Sequence, residues 1–171
     1  MVPQTVSLYS GTIAENLRMA APEATDEELL EALREVHLKE WVLSQPKKLE
    51  TPVGDSGGKL SGGQRQKIGI ARALLCRAEY IIFDEATSNV DMDSEREIWN
   101  CIHELAQTRT LIIISHRLST IQNADRIYML ENGQISQSGM HTALMKEAGL
   151  YRRLVEEQAK LEQMGEEMRH A

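Results

Sequence analysis

Two stretches of this sequence carry residue types that can do chemistry together. The first is Asp84-Glu85, which ends the β-rich apolar run Tyr80-Ile81-Ile82-Phe83, and its counterpart Ser115-His116, which ends the run Thr110 to Ile114. Two carboxylates, a hydroxyl and an imidazole at the ends of two strands would make a ligand site if those strands lie side by side. The second is Leu60-Ser61-Gly62-Gly63-Gln64. A helix opening on two glycines lets backbone N–H groups come close to an anion, and the helix dipole favours negative charge there. Ser61 can cap its own helix or give its hydroxyl to such an anion. Each feature alone also has a structural reading: a cap, a turn, or a histidine that packs at a strand end.

The elements around these residues decide whether they meet. Tyr80 to Phe83 and Thr110 to Ile114 are separated by a helical pattern from Asp91 to Ala106, with Ile98, Ile102 and Leu105 at helical spacing. Strand, helix, strand is a βαβ unit, so the two strands are expected to be parallel. Parallel sheets bind ligands beyond the carboxyl ends of their strands, where Asp84, Glu85, Ser115 and His116 stand.

Ser61 and Gln64 have the spacing of a capping box and open a helix whose face carries Ile68, Ala71 and Leu75. Thr25 and Glu28 form another, before a helix with Leu29, Leu33 and Val36 on one side and Trp41 in the same cluster. Gln45 to Gly58, with Pro46, Pro52 and three glycines, reads as loop. Arg126 to Leu130 and Gln134 to Ser136 flank Glu131-Asn132-Gly133, a hairpin signal. Helical patterns follow from about Thr142, and the charged stretch from Glu156 onward is expected to fray.

Bulk properties narrow the class. The 171 residues suffice for one domain with a core, and an apolar fraction of 42% argues against disorder. A formal net charge of −7 gives no support to nucleic-acid binding. No unbroken apolar run exceeds the length of Leu111 to Ile114, against the roughly 20 residues that cross a bilayer. No signal-peptide pattern stands at the start, and a soluble chain is expected. Cys76 and Cys101 lack metal-ligand spacing and are expected to be reduced, packed thiols.

The order of the motifs is that of a known family. Leu60 to Leu75, LSGGQRQKIGIARALL, resembles the signature sequence of ABC ATPases almost letter for letter. Tyr80 to Asp84 resembles a Walker B strand. Ser88-Asn89-Val90-Asp91 stands where the family has its D-loop, with Asn-Val in place of the usual Ala-Leu. His116 matches the switch histidine. Val2-Pro3-Gln4, followed by Leu8-Tyr9-Ser10-Gly11-Thr12-Ile13, looks like the Q-loop of exporter-type domains. Thr51-Pro52-Val53-Gly54-Asp55 resembles the short loop that exporters carry before the signature, although the family prefers glutamate near the Pro52 and Asp55 positions.

The resemblance, from Gln4 to about Val155, implies an ATP-hydrolysing domain of an exporter, with ATP and Mg²⁺ as its ligands. It implies Asp84 and Gln4 at the metal, with Glu85, Gln4 and His116 as catalytic residues at the water and the γ-phosphate. Ser61, Gly62, Gly63 and Gln64 would close over ATP held by a second nucleotide-binding domain, paired head to tail. Asp91 would help join the two domains, and the segment after Gln4 would touch the membrane domain. The setting would be the cytoplasmic side of the plasma membrane. His37, His103, His141 and His170 carry no functional assignment.

Phosphate binding in P-loop ATPases uses G-x-x-x-x-G-K-[ST] between a strand and a helix. The nearest approach here, Val53 to Leu60, has Val53 in place of the first glycine and Leu60 in place of the Ser/Thr. The expected fold is therefore α/β: a partial P-loop NTPase (RecA-like) parallel sheet with a helical signature subdomain, without the P-loop strand or the N-terminal β-subdomain. Expected divisions are residues 1–11 as Q-loop segment, 12–78 as helical subdomain, 79–155 as the rest of the core and 156–171 as tail. Alone, the chain is expected to bind ATP weakly, hydrolyse little and self-associate through exposed sheet. Two alternatives stand beside this reading: a catalytically silent partner lending its signature helix to a complete domain, and a non-transport ABC ATPase.

Overall fold

The computed structural model describes residues 1–87 and 90–169. Ser88 and Asn89 of the D-loop stretch, and His170, lie outside the described residues. The chain divides into two compact units, Met1–Ile114 and the remainder from Ser115 onward.

The first unit is built on helices that start where their sequence caps allow. α1 (Ile13–Arg18) has Thr12 as N-cap, and Thr12 and Glu15 form a reciprocal capping box. α2 (Asp26–Glu35) is capped in the same way by Thr25 and Glu28. α3 (Lys39–Ser44) follows, and two short 3₁₀ turns, Lys48–Glu50 and Asp55–Gly57, give the Gln45 to Gly58 loop its shape. α4 (Gly62–Leu75) is capped by Ser61. β1 (Tyr80–Asp84), α5 (Met92–Ala106) and β2 (Thr110–Ile114) form the βαβ unit.

β1 and β2 pair in parallel with Tyr80 opposite Thr110 and Asp84 opposite Ile114, as the strand–helix–strand order requires. Val2 joins as a parallel bridge to Phe83, its amide donating to Ile82 O at 2.7 Å and its carbonyl accepting from Asp84 N at 2.9 Å. Strand side chains alternate between faces, so Ile81, Phe83, Leu111 and Ile113 share one face. That face packs into the core with Leu29, Leu33, Ile68, Ile70, Ala71, Ile98 and Ile102. The core is mainly aliphatic, and Phe83, the single phenylalanine of the chain, is buried within it.

The second unit contains α6 (Leu118–Ile121) and a hairpin of β3 (Ile127–Glu131) and β4 (Gln134–Gly139). Asn132 and Gly133 both have positive φ, 50° and 77°, which suits a two-residue turn between twisted strands. Beyond the hairpin the helical pattern is broken rather than continuous: α7 (His141–Leu144) ends before Gly149, and α8 (Leu150–Arg169) begins after it. Ile127, Leu144 and Tyr151 form this unit's small core, and the Tyr151 hydroxyl lies 2.7 Å from His141 Nδ1. Among the described residues, no helix is long and apolar enough to cross a membrane.

Candidate functional site

β1 delivers Asp84, half-buried, to the carboxyl end of the sheet. Glu85 follows immediately, with its amide donating to Ile114 O at 2.9 Å and its φ at 47°. A left-handed backbone at a non-glycine residue costs about 1–3 kcal/mol and persists only where the surroundings impose it. Here the hydrogen bond to the end of β2 fixes the turn that presents the Glu85 carboxylate.

Gln4 arrives at the same place from the other side of β1. Two residues after the Val2 bridge, its Nε2 donates to Glu85 Oε2 at 3.3 Å across 81 positions of sequence. Gln4, Asp84 and Glu85 are thus one cluster at a strand end. Among the described residues, no group of three or more His, Cys, Asp or Glu side chains could cage a metal ion. The donor set still fits Mg²⁺, which keeps several waters and takes only one or two carboxylates beside substrate phosphates. Asp84 and Glu85 are the carboxylates at this strand end.

The second cluster lies at the start of α4. Ser61 Oγ accepts from Gln64 N at 3.1 Å and Gln64 Oε1 accepts from Ser61 N at 2.9 Å. The capping reading of Ser61 is therefore correct, yet its hydroxyl proton is not used in that box and remains able to donate. Ser61 is exposed, whereas Gly63 is buried. A Cβ built on Gly63 would lie 2.6 Å from both Cβ and Oγ of Ser94 in the first turn of α5. Gly63 is glycine at least in part because α5 occupies its side-chain space.

Asp91 is the N-cap of α5, its Oδ1 accepting from Ser94 N at 2.9 Å. That bond holds the Asp91 carboxyl below the usual carboxylate range. Ser94 therefore touches Asp91 on one side and the start of α4 on the other. His116 is exposed in the second unit, following Ser115, whose Oγ accepts from Arg117 N at 3.0 Å.

The two exporter-like loop stretches also meet. Val53 N donates to Gly11 O at 2.9 Å, Ile13 N to Thr51 O at 3.0 Å, and Ser10 Oγ to Asp55 Oδ1 at 3.0 Å. In the first of them Tyr9 remains 60% exposed, an aromatic ring on the surface of a chain with few aromatics.

Three features were missed by motif reading. The Thr12–Glu15 box was available from its T-x-x-E spacing. The backbone strain at Glu85 and the Gly63–Ser94 contact depend on tertiary packing and leave no local signal.

The family model described as "ABC transporter" matches residues 1–88. The chain is 46% identical over 153 residues to the ATP-dependent lipid A-core flippase 1 of Colwellia psychrerythraea, covering 90% of this chain and 25% of the flippase. It is 44% identical over 164 residues to the ABC transporter ATM1 of Toxoplasma gondii, covering 95% of this chain and 14% of that protein. The structure of a bacterial Atm1-family ABC exporter with ATP bound superposes with a TM-score of 0.82 at 35% identity, over 92% of this chain and 28% of the exporter chain. The chain spans about a quarter or less of the curated relatives' length. With a matching family model, relatives of one kind and an α/β fold shared with an exporter, this chain belongs to the ABC transporter family.

Proposed function

We propose that the chain supplies the water-activating and signature parts of the ATP-hydrolysing domain of an exporter. The observation that carries this reading is the 3.3 Å contact between Gln4 and Glu85 at the carboxyl end of β1. When bound, Mg²⁺ offsets the charge of the phosphate oxygens. Asp84 would hold that ion through water, and Gln4 would reach both the ion and the attacking water. Glu85 would orient and polarise the water. His116 would contact the γ-phosphate.

Ser61, Gly62, Gly63 and Gln64 would close over ATP gripped by a second nucleotide-binding domain, with Asp91 helping to join the two. The exposed Tyr9, its backbone held by Asn16, would face the membrane domain. The assembly would then lie at the cytoplasmic side of the plasma membrane. The relatives' names support the exporter setting.

The 171 residues hold no G-x-x-x-x-G-K-[ST] segment. In the structure Val53 is buried and Asp55–Gly57 is a 3₁₀ turn, so this loop offers no helix start to a phosphate. The grip on the β- and γ-phosphates has to come from residues outside these. The polypeptide of these residues alone therefore binds ATP weakly and turns it over little. Titration calorimetry of the purified chain with Mg-ATP tests this: no detectable binding is expected. Micromolar affinity at one site per chain would show that a segment of this chain holds phosphate, and the reading would fall.

A further inference from the structure

The face of α4 turned toward the start of the chain holds residues 3–7 at three successive turns. Gln66, 3% exposed, donates its Nε2 to Pro3 O at 3.1 Å, next to Gln4 itself. One turn on, Gly69 has no Cβ because Val6 Cγ2 fills its place. A further turn on, Arg72 donates from Nη1 to Ser7 O at 2.8 Å, from Nε to Asn16 O at 2.7 Å and from Nη2 to Asn16 Oδ1 at 2.6 Å. Positions three apart on a helix share a face, so this is one continuous strip.

Asn16, 1% exposed, completes the strip. Its Oδ1 also accepts from Tyr9 N at 3.0 Å, and its Nδ2 donates to Tyr9 O and Thr12 O, each at 2.9 Å. Every donor and acceptor site of that amide is used. A buried amide so satisfied fixes a geometry, because breaking any one bond leaves a buried polar group without a partner.

We propose that Arg72 and Gln66 are positioning residues that clamp the Gln4 segment to the helix begun by Ser61. The side chain that meets Glu85 and the loop that closes on nucleotide are then carried by one rigid body. The inference rests on the role given above to Gln4, but the clamp can be tested without nucleotide. The planar fork of Arg72 serves three acceptors, which a lysine ammonium does not match in geometry.

The test uses the 171-residue chain and its Arg72→Lys and Gln66→Leu variants, followed by peptide-resolved hydrogen exchange. Arg72→Lys keeps the charge and the alkyl stem, so global folding is retained. Exchange in residues 3–12 is expected to accelerate at least tenfold, with α2 and α5 within about twofold of the parent. The side-chain amide resonance of Gln4, assigned by its loss in Gln4→Ala, is expected to shift in both variants while that of Gln64 stays. Uniform acceleration across α2 and α5 would make Arg72 a stability residue only and overturn the proposal. Unchanged exchange in residues 3–12 would do the same, as would a loosened segment with an unmoved Gln4 resonance. None of these outcomes bears on ATP affinity, so failure of the clamp and failure of the ATPase reading are separable.

Discussion

Gln4 Nε2 and Glu85 Oε2 lie 3.3 Å apart, joined by the placement of Val2 and β1 as parallel neighbours. In a transporter whose ATPase domain carries this segment, Glu85→Gln keeps an acceptor for Gln4 but removes the carboxylate proposed to polarise water. Positioned acid–base groups contribute about 10²–10⁴-fold to rate, so steady-state ATP turnover is expected to fall by about that range with nucleotide binding retained. Phosphate release and nucleotide affinity measured on the same preparation check both halves. Unaltered turnover would remove Glu85 from the chemistry.

Gly63 gives a test of packing against phosphate approach. Gly63→Ala forces a methyl into Ser94 and is expected to cost about 1–3 kcal/mol, the usual range for overpacking. Adding Ser94→Gly empties the space and is expected to restore most of the denaturation midpoint. If the double variant stays as unstable as the single one, the contact with α5 is not what requires glycine at this position.

Much of this fold was legible because local signals agreed with tertiary structure. Thr25–Glu28 and Ser61–Gln64 read as capping boxes and are. The βαβ order placed Asp84 and Glu85 at strand ends, and the Asn132-Gly133 turn joined β3 to β4. What was not legible depends on residues distant in sequence. The 65-residue link from Ser7 to Arg72 and the left-handed Glu85 have no periodicity to betray them. The break between α7 and α8 was also missed, because Gly149 within an amphipathic pattern does not by itself end a helix.

The two thiols are expected to separate cleanly. Cys76, expected from the sequence to be packed, is instead exposed at the end of α4, whereas Cys101 is buried and burial pushes its thiol up to about 12 from an ordinary 9.0. In the folded chain Cys101 stays protonated at pH values where the unfolded chain has already lost that proton. Its contribution to stability is therefore complete below about pH 9 and is lost as the pH rises toward 12. Iodoacetamide at pH 8 should label Cys76 rapidly and Cys101 only after unfolding. Chemical unfolding of Cys101→Ala should depend less on pH above 9 than that of the parent. Equal labelling of both thiols in the folded chain would contradict the packing of α5.

Self-association is the expected consequence of the open side of the sheet. Register places Tyr80, Ile82, Asp84, Thr110, Ile112 and Ile114 on the face opposite the core. Tyr80, Ile112 and Ile114 are 60%, 48% and 51% exposed, although parallel strands are ordinarily covered on both faces. Among the described residues, no further strand pairs with the outer edge of β2. Edge and face together offer hydrogen-bond donors and acceptors beside apolar surface, a template for another chain. Sedimentation velocity of the purified polypeptide is expected to show concentration-dependent association. The pair Ile112→Thr and Ile114→Thr keeps β-branched residues in the strand while making its open face polar, and should shift the distribution toward monomer. A parent chain that is monomeric at every concentration and melts cooperatively at high temperature would show that this face needs no cover.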